Sequence, residues 1–168
     1  ISEELCLNNL RTLLTDAKAR GLQVAIDMES SAHIEATLRL YRTLRDEYDF
    51  PNVGTVIQAY LYRTKDDMSA LASEGATIRI VKGAYLEPPT IAFPAKADVD
   101  ANYIAVMRDY LQAPSPAYLQ IATHDENIIQ AGIDAAREFN LAPDRYEFQM
   151  LYGIRTSRQL ELAQAGYQ

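Results

Sequence analysis

The chain has 168 residues, 48% of them apolar, so one sizeable core is within reach; its net charge of −7 carries no excess of Lys and Arg of the kind nucleic acid requires. A single cysteine, Cys6, excludes an internal disulfide, and with only two histidines the ligand supply for a structural zinc cage is too small. No apolar run is long enough to span a bilayer, and Ile1-Ser2-Glu3-Glu4 has neither the basic nor the apolar character of a leader; the expectation is a cytoplasmic protein, with peripheral contact at the inner face of a membrane left open.

Helical and strand patterns alternate along the chain. Leu10, Leu13, Leu14 and Ala17 predict a helix over about 2–20 that Gly21 closes. Leu22 to Met28 reads as a strand. Ile34, Leu38, Tyr41, Leu44 and Tyr48 form a second helical stripe, ended before Pro51. Val53 to Leu61 is the second strand. Thr64 opens a short helix, with Asp67 three residues on as a capping-box partner, and Gly75 ends it. Thr77 to Lys82 is the third strand, followed by a loop over about 83–97 that contains Pro88, Pro89 and Pro94. Val99, Tyr103, Val106, Met107 and Tyr110 mark a helix that stops near Pro114. Ala117 to Thr123 is the fourth strand. Ile128, Ile129, Ile133, Ala136 and Phe139 mark another helix, Tyr146 to Leu151 the fifth strand, and Thr156 to Ala165 a last helix before Gly166.

Strands separated by helices imply parallel pairing, in either an open doubly wound sheet or a closed barrel. Strand interiors separate the two. One side-chain phase is apolar, with Val24, Ile26 and Met28, Ile78 and Ile80, Leu119 and Ile121, and Phe148 and Met150; the other carries Asp27, Gln58, Tyr60, Arg79, Gln120, His124, Glu147 and Gln149. An open sheet covered on both faces would be apolar in both phases, and an ordinary barrel core would be filled with Val, Ile and Leu. A polar inner face fits an α/β fold of the (β/α)8 type whose interior hosts a ligand. A whole barrel takes roughly 250 residues, so five strand–helix units of eight point to a single barrel domain present here in part, over 1–168.

Polar residues cluster at the strand ends, where barrel enzymes work: Asp27 and Glu29, Gln58 and Tyr60, Arg79 and Lys82, Thr123-His124-Asp125, and Gln149 with Tyr152. Each also has a plain structural reading. Asp27 would serve as a helix N-terminal carboxylate or an Arg79 partner, Lys82 as a snorkelling surface lysine, Gly83 as a turn residue, and Tyr60, Tyr62 and Tyr85 as rim packing. The His124-Asp125-Glu126 run suggests metal, but loop and cap roles account for most such runs, and with two histidines no metal is assigned. No glycine-rich nucleotide fingerprint or Walker motif occurs.

At these strand ends the sequence resembles the FAD-dependent proline dehydrogenase family of the bacterial type. The matching segments are Ile26-Asp27-Met28-Glu29, Gln58-Ala59-Tyr60-Leu61, Arg79-Ile80-Val81-Lys82-Gly83-Ala84-Tyr85, Ala122-Thr123-His124-Asp125 and Tyr146-Glu147-Phe148-Gln149-Met150-Leu151-Tyr152-Gly153. They fall in the family's order, and the run from Arg79 to Tyr85 is the most specific. The resemblance implies strands two to six of a barrel that binds FAD non-covalently, oxidises L-proline to Δ1-pyrroline-5-carboxylate and passes electrons to a quinone. It implies that Asp27 and Arg79 are catalytic, the Arg79 cation favouring the reduced anionic flavin. Ile26, Gln58, Val81, Lys82, Gly83, Ala84, Thr123 and His124 would line the FAD, and Tyr85 and Leu151 would pack the proline ring. The family's carboxylate clamp, a Lys on the first strand and an Arg pair on the last helix, has no counterpart here; Arg155 and Arg158 follow the fifth strand instead. The 168 residues by themselves are therefore expected to be inactive. A Schiff-base lyase using Lys82 and a non-catalytic barrel remnant remain as alternatives.

Overall fold

The structure, a computed structural model, describes residues 2–168, and its contacts group the chain into two compact units that meet between Val56 and Ile57. In the first unit, α1 (Glu3–Ala19) starts at Ser2, whose hydroxyl accepts from the Leu5 amide at 3.2 Å. It is followed by β1 (Val24–Ile26) and α2 (Ile34–Arg42), which runs on through a π turn at Thr43–Glu47. β1 pairs in parallel with β2 (Val53–Gln58), with Val24 opposite Val53. Leu14, Ile34, Leu38, Tyr41 and Leu44 are buried, on the stripes predicted from spacing, whereas Leu13 is exposed. Asn52 Nδ2 donates to the Leu22 carbonyl at 3.0 Å and ties the entry of β1 to that of β2.

In the second unit α3 (Thr64–Ser73), β3 (Thr77–Val81), α4 (Lys96–Leu111), β4 (Tyr118–Ala122), α5 (Glu126–Glu138), β5 (Tyr146–Gln149) and α6 (Thr156–Gln164) follow the predicted alternation. The described strand pairings are parallel: β1 with β2 in the first unit, and β3 with β4 and β4 with β5 in the second. Beyond β2, the Ala59 and Tyr60 amides donate to the Val81 and Lys82 carbonyls at 2.7 and 2.9 Å.

The two side-chain phases separate on β3 and β4, whereas β1 is half-buried throughout, β2 is buried throughout with Gln58 included, and on β5 Phe148 and Met150 are half-buried like Glu147 and Gln149. Ile78, Ile80, Leu119 and Ile121 are fully or almost fully buried beneath the helices, while Arg79, Gln120, Glu147 and Gln149 on the opposite face are half-buried. Two α4 tyrosines pin that helix along β3. Tyr110 Oη donates to the Ala76 carbonyl at 2.6 Å, where β3 begins, and Tyr103 Oη to the Ile80 carbonyl at 2.8 Å, where it ends. Burial pushes the Tyr103 phenol well up, so it remains a donor. At Gly132 of α5 an added Cβ would lie 3.2 Å from the Phe148 ring, so the glycine lets the helix come down onto β5. Ile129 and Ile133 then share a cluster with Leu162 of α6, packed by Phe148, Met150 and Tyr167.

One local prediction fails. Thr64 is the first residue inside α3 rather than its cap, and its hydroxyl donates to the Gln58 carbonyl at 2.5 Å. Asp67 accepts two hydrogen bonds from Arg63, at 2.6 and 2.9 Å, instead of reaching back to an N-cap amide. The end of β2 supplies a nearer acceptor for Thr64 than the helix offers, and an i,i+4 ion pair with Arg63 outcompetes the capping box.

Candidate functional site

Ile26 and Asp27 belong to the first unit, at the end of β1, where Ile26 is half-buried and Asp27 exposed. The remaining candidates all lie in the second unit, at the C-terminal ends of its strands.

Arg79 points to the polar face of β3. Its Nε donates to Gln149 Oε1 at 2.7 Å, two strands away. Neighbouring strands lie about 4.8 Å apart, so the two side chains together cross roughly 10 Å above β4. The register places Arg79 level with Gln120 of β4, and Gln149 level with Ala122. The small Ala122 side chain leaves room for this crossing. Gln149 Nε2 in turn donates to Glu147 Oε1, and Tyr118 Oη donates to Glu147 Oε2 at 2.9 Å. Gln120 Oε1, in the middle of this face, is buried with no hydrogen-bond partner among the described residues.

Lys82 is not a lone surface lysine. Its Nζ donates to Asp100 Oδ1 at 2.5 Å and to Asp125 Oδ2 at 2.8 Å, and Lys96 donates to both of the same carboxylates. The four charges join the end of β3, the first turn of α4 and the start of α5. Asp125 also caps α5, accepting from the Asn127 amide at 3.1 Å. The hydrogen bond from Lys82 is the main reason its carboxyl is held at about 2, against an ordinary 3.8. Burial acts to raise the Asp100 carboxyl, yet the hydrogen bonds from Lys82 and Lys96 outweigh it and leave the group below its usual range. A Schiff-base lysine needs apolar surroundings and a free amine, and this one sits between two carboxylates.

Gly83 follows Lys82 at φ +114°, a region that disfavours other residues, and Tyr60 packs directly onto it. Tyr60 is buried; that burial, with the Glu87 charge second, raises its phenol. Gln58 is buried at the end of β2, and Asn102 of α4 donates to the next carbonyl, that of Ala59, at 2.7 Å. Val81 is half-buried and Ala84 exposed.

Thr123 is buried, and its hydroxyl accepts from the Asp125 amide at 3.1 Å. His124 Nε2 accepts from the Leu151 amide at 3.0 Å, which places the ring proton of the neutral imidazole on Nδ1. The His124-Asp125-Glu126 run therefore diverges: His124 meets the loop after β5, Asp125 meets the lysines, and Glu126 pairs with Arg155 and Arg158 at 2.5 and 2.7 Å. Both arginines are thus committed to a carboxylate within the unit. Tyr85 and Leu151 are exposed, on the loops after β3 and β5.

The sequence reading did not single out Tyr118, Lys96 or Asp100. Tyr118 shares the phase of Gln120, which was a usable signal. Lys96 and Asp100 show only an i,i+4 spacing, common on any solvated helix.

A proline dehydrogenase family profile matches residues 1–168. The chain is 46% identical over 169 residues to a proline dehydrogenase of Deinococcus radiodurans, covering 98% of this chain and 53% of that protein. It is 43% identical to proline dehydrogenase 1 of Bacillus subtilis (strain 168), covering 99% of this chain and 54% of the relative. The chain thus spans about half the length of these curated relatives. Among solved structures, it superposes on proline utilization A from Bdellovibrio bacteriovorus, inactivated by N-propargylglycine, with a TM-score of 0.89 at 27% identity, covering 99% of this chain and 19% of that one.

Proposed function

The chain belongs to the proline dehydrogenase family, and from that premise we propose that it supplies strands two to six of a (β/α)8 barrel that oxidises L-proline to Δ1-pyrroline-5-carboxylate with FAD. The observation that carries this reading is the polar sheet face on which Arg79 is held by Gln149 at 2.7 Å, a cation fixed among half-buried strand residues.

The residues fit the cofactor. Gln120 Oε1 is a buried acceptor that the described residues leave unmet, and an isoalloxazine ring carries N–H donors as well as acceptors. Gln58, Arg79, Val81, Lys82, Gly83, Ala84, Thr123 and His124 of the second unit would hold it. When bound, FAD supplies the acceptor for a hydride from the carbon next to the proline nitrogen, and the electrons then pass to a quinone. Arg79 contributes a fixed positive charge where negative charge develops, and because it is already oriented, little reorganisation is required during reaction. Asp27 anchors polar groups at the end of β1. Tyr85 and Leu151 offer apolar cover to the proline ring. Lys82 is clamped by Asp100 and Asp125 immediately before Gly83 and Ala84. A quinone acceptor would fit a cytoplasmic protein with peripheral contact at the inner face of a membrane; separately, among the described residues no helix is long and apolar enough to cross one.

The test is an anaerobic visible spectrum of the full-length protein with FAD, before and after L-proline. Flavin bands that bleach with L-proline and not with D-proline or L-leucine are the expected result. A flavin spectrum indifferent to proline would overturn the substrate, and no flavin binding would overturn the cofactor.

A further inference from the structure

We propose that Glu147, with Tyr118 behind it, is a positioning residue that sets the orientation of the Arg79 guanidinium through the Gln149 amide. This rests on the flavin reading above for its consequence, but not for its geometry.

An Arg side chain only donates, so the Gln149 atom facing Arg79 Nε at 2.7 Å has to be the amide oxygen. The amide nitrogen then points the other way, where it needs an acceptor. Glu147 Oε1 provides one. Glu147 lies two residues before Gln149 on the same strand, and alternate side chains share a face. Its second oxygen accepts from Tyr118 Oη at 2.9 Å, on the adjacent strand β4. Burial, and next the hydrogen bond to Glu147, push the Tyr118 phenol up, so it stays a donor. The chain of bonds thus has one direction only: Tyr118 to Glu147, Gln149 to Glu147, Arg79 to Gln149. Arg79 requires the amide oxygen on one side and a carboxylate at position 147 requires the amide nitrogen on the other, so the two together oppose a flip of Gln149. A neutral amide there would present either an acceptor or a donor, and the flipped Gln149 would turn an NH2 group toward the Arg79 cation.

Such a relay acts on Arg79 without Glu147 meeting substrate or cofactor. A guanidinium free to swing loses its advantage as a preorganised charge, and restoring that order during reaction raises the barrier. The expected signature is a fall in the rate of flavin reduction with the KM for proline nearly unchanged, because a charge that acts mainly in the transition state is affected and substrate binding is not.

Two readouts test this on the full-length protein. The first needs no flavin: hydrogen exchange of the Arg79 Nε–H, followed by nitrogen-15 NMR on the FAD-free protein. It should quicken by about tenfold or more in Glu147→Gln, as expected when a charge-assisted bond is lost. Tyr118→Phe removes one oxygen and should quicken it less, and it serves if Glu147→Gln does not fold. The second is the FAD-loaded protein: both variants should bleach more slowly with L-proline, Glu147→Gln by about tenfold, with KM within roughly twofold of wild type. The flavin midpoint potential should also move to more negative values, in the direction given by Arg79→Met. Exchange unchanged in both variants overturns the relay. Faster exchange with an unaltered potential and bleaching rate overturns its role in the reaction. A wild-type protein that binds no FAD while showing the protected Nε–H overturns the functional reading and leaves Glu147 a purely structural partner.

Discussion

Gly83→Ala is the substitution whose cost the geometry defines most closely. A Cβ at this position would lie 2.3 Å from Tyr60 Cδ1, and 2.5 and 2.6 Å from two further ring atoms. The ring cannot simply swing out, because Tyr60 is only 8% exposed and its amide is tied to the Lys82 carbonyl at 2.9 Å. Two penalties therefore add. Forcing an alanine to φ +114° costs about 1–2 kcal/mol, and displacing a packed aromatic ring about 1–3 kcal/mol. The sum, roughly 2–5 kcal/mol, is to be read from urea midpoints with the slope held constant. Replacing Tyr60 by Ala in the same chain separates the two, since truncation at Cβ removes all three clashing atoms and leaves the backbone penalty; the cycle should show a favourable coupling of about 1–3 kcal/mol. A Gly83→Ala protein within about 0.5 kcal/mol of wild type, or a cycle without coupling, would refute the reasoning.

Other predictions follow from the same contacts. The Asp125 carboxyl is held at about 2 against 3.8, so its folded value is depressed: its stabilisation is complete above the unfolded value and is lost as pH falls from 3.8 through 2. After allowance for screening at a partly open site this amounts to about 1–2 kcal/mol, and Asp125→Asn, which keeps a competent helix cap, should flatten the stability–pH curve in that window; an unchanged slope counts against the four-charge cluster. Tyr103→Phe removes the donor to the Ile80 carbonyl and should destabilise by about 1–2 kcal/mol in urea unfolding, with no change indicating that the carbonyl is satisfied otherwise. Borohydride in the presence of carbonyl compounds should trap no adduct on Lys82, as judged by peptide mass; a trapped adduct would show that Asp100 and Asp125 release the amine.

The fold was legible to the extent that it is local. Period-2 alternation placed Ile78 and Ile80 against the helices and Arg79 on the opposite, polar face, and helical spacing found Tyr103 and Tyr110, because both patterns depend only on backbone geometry and on burial of one face. The family was legible because its residues lie in contiguous strand-end segments. The capping box at Thr64 was misread for the opposite reason: the acceptor that captures its hydroxyl, the Gln58 carbonyl, belongs to a strand rather than to the helix.

Spacing and phase along the chain thus specify the order of strands and helices, the polar face and the set of candidate side chains on it. Which of those side chains meet was decided by the tertiary structure. Arg79 and Gln149 are separated by 70 residues and Lys82 and Asp125 by 43, and they are joined only through the parallel register of β3, β4 and β5 and the seating of α4 and α5. Coulombic attraction and hydrogen bonding act over a few ångströms in space, without regard to separation along the chain. The sequence therefore supplied an arginine, a glutamine, a glutamate and a tyrosine, and packing made them a directed chain.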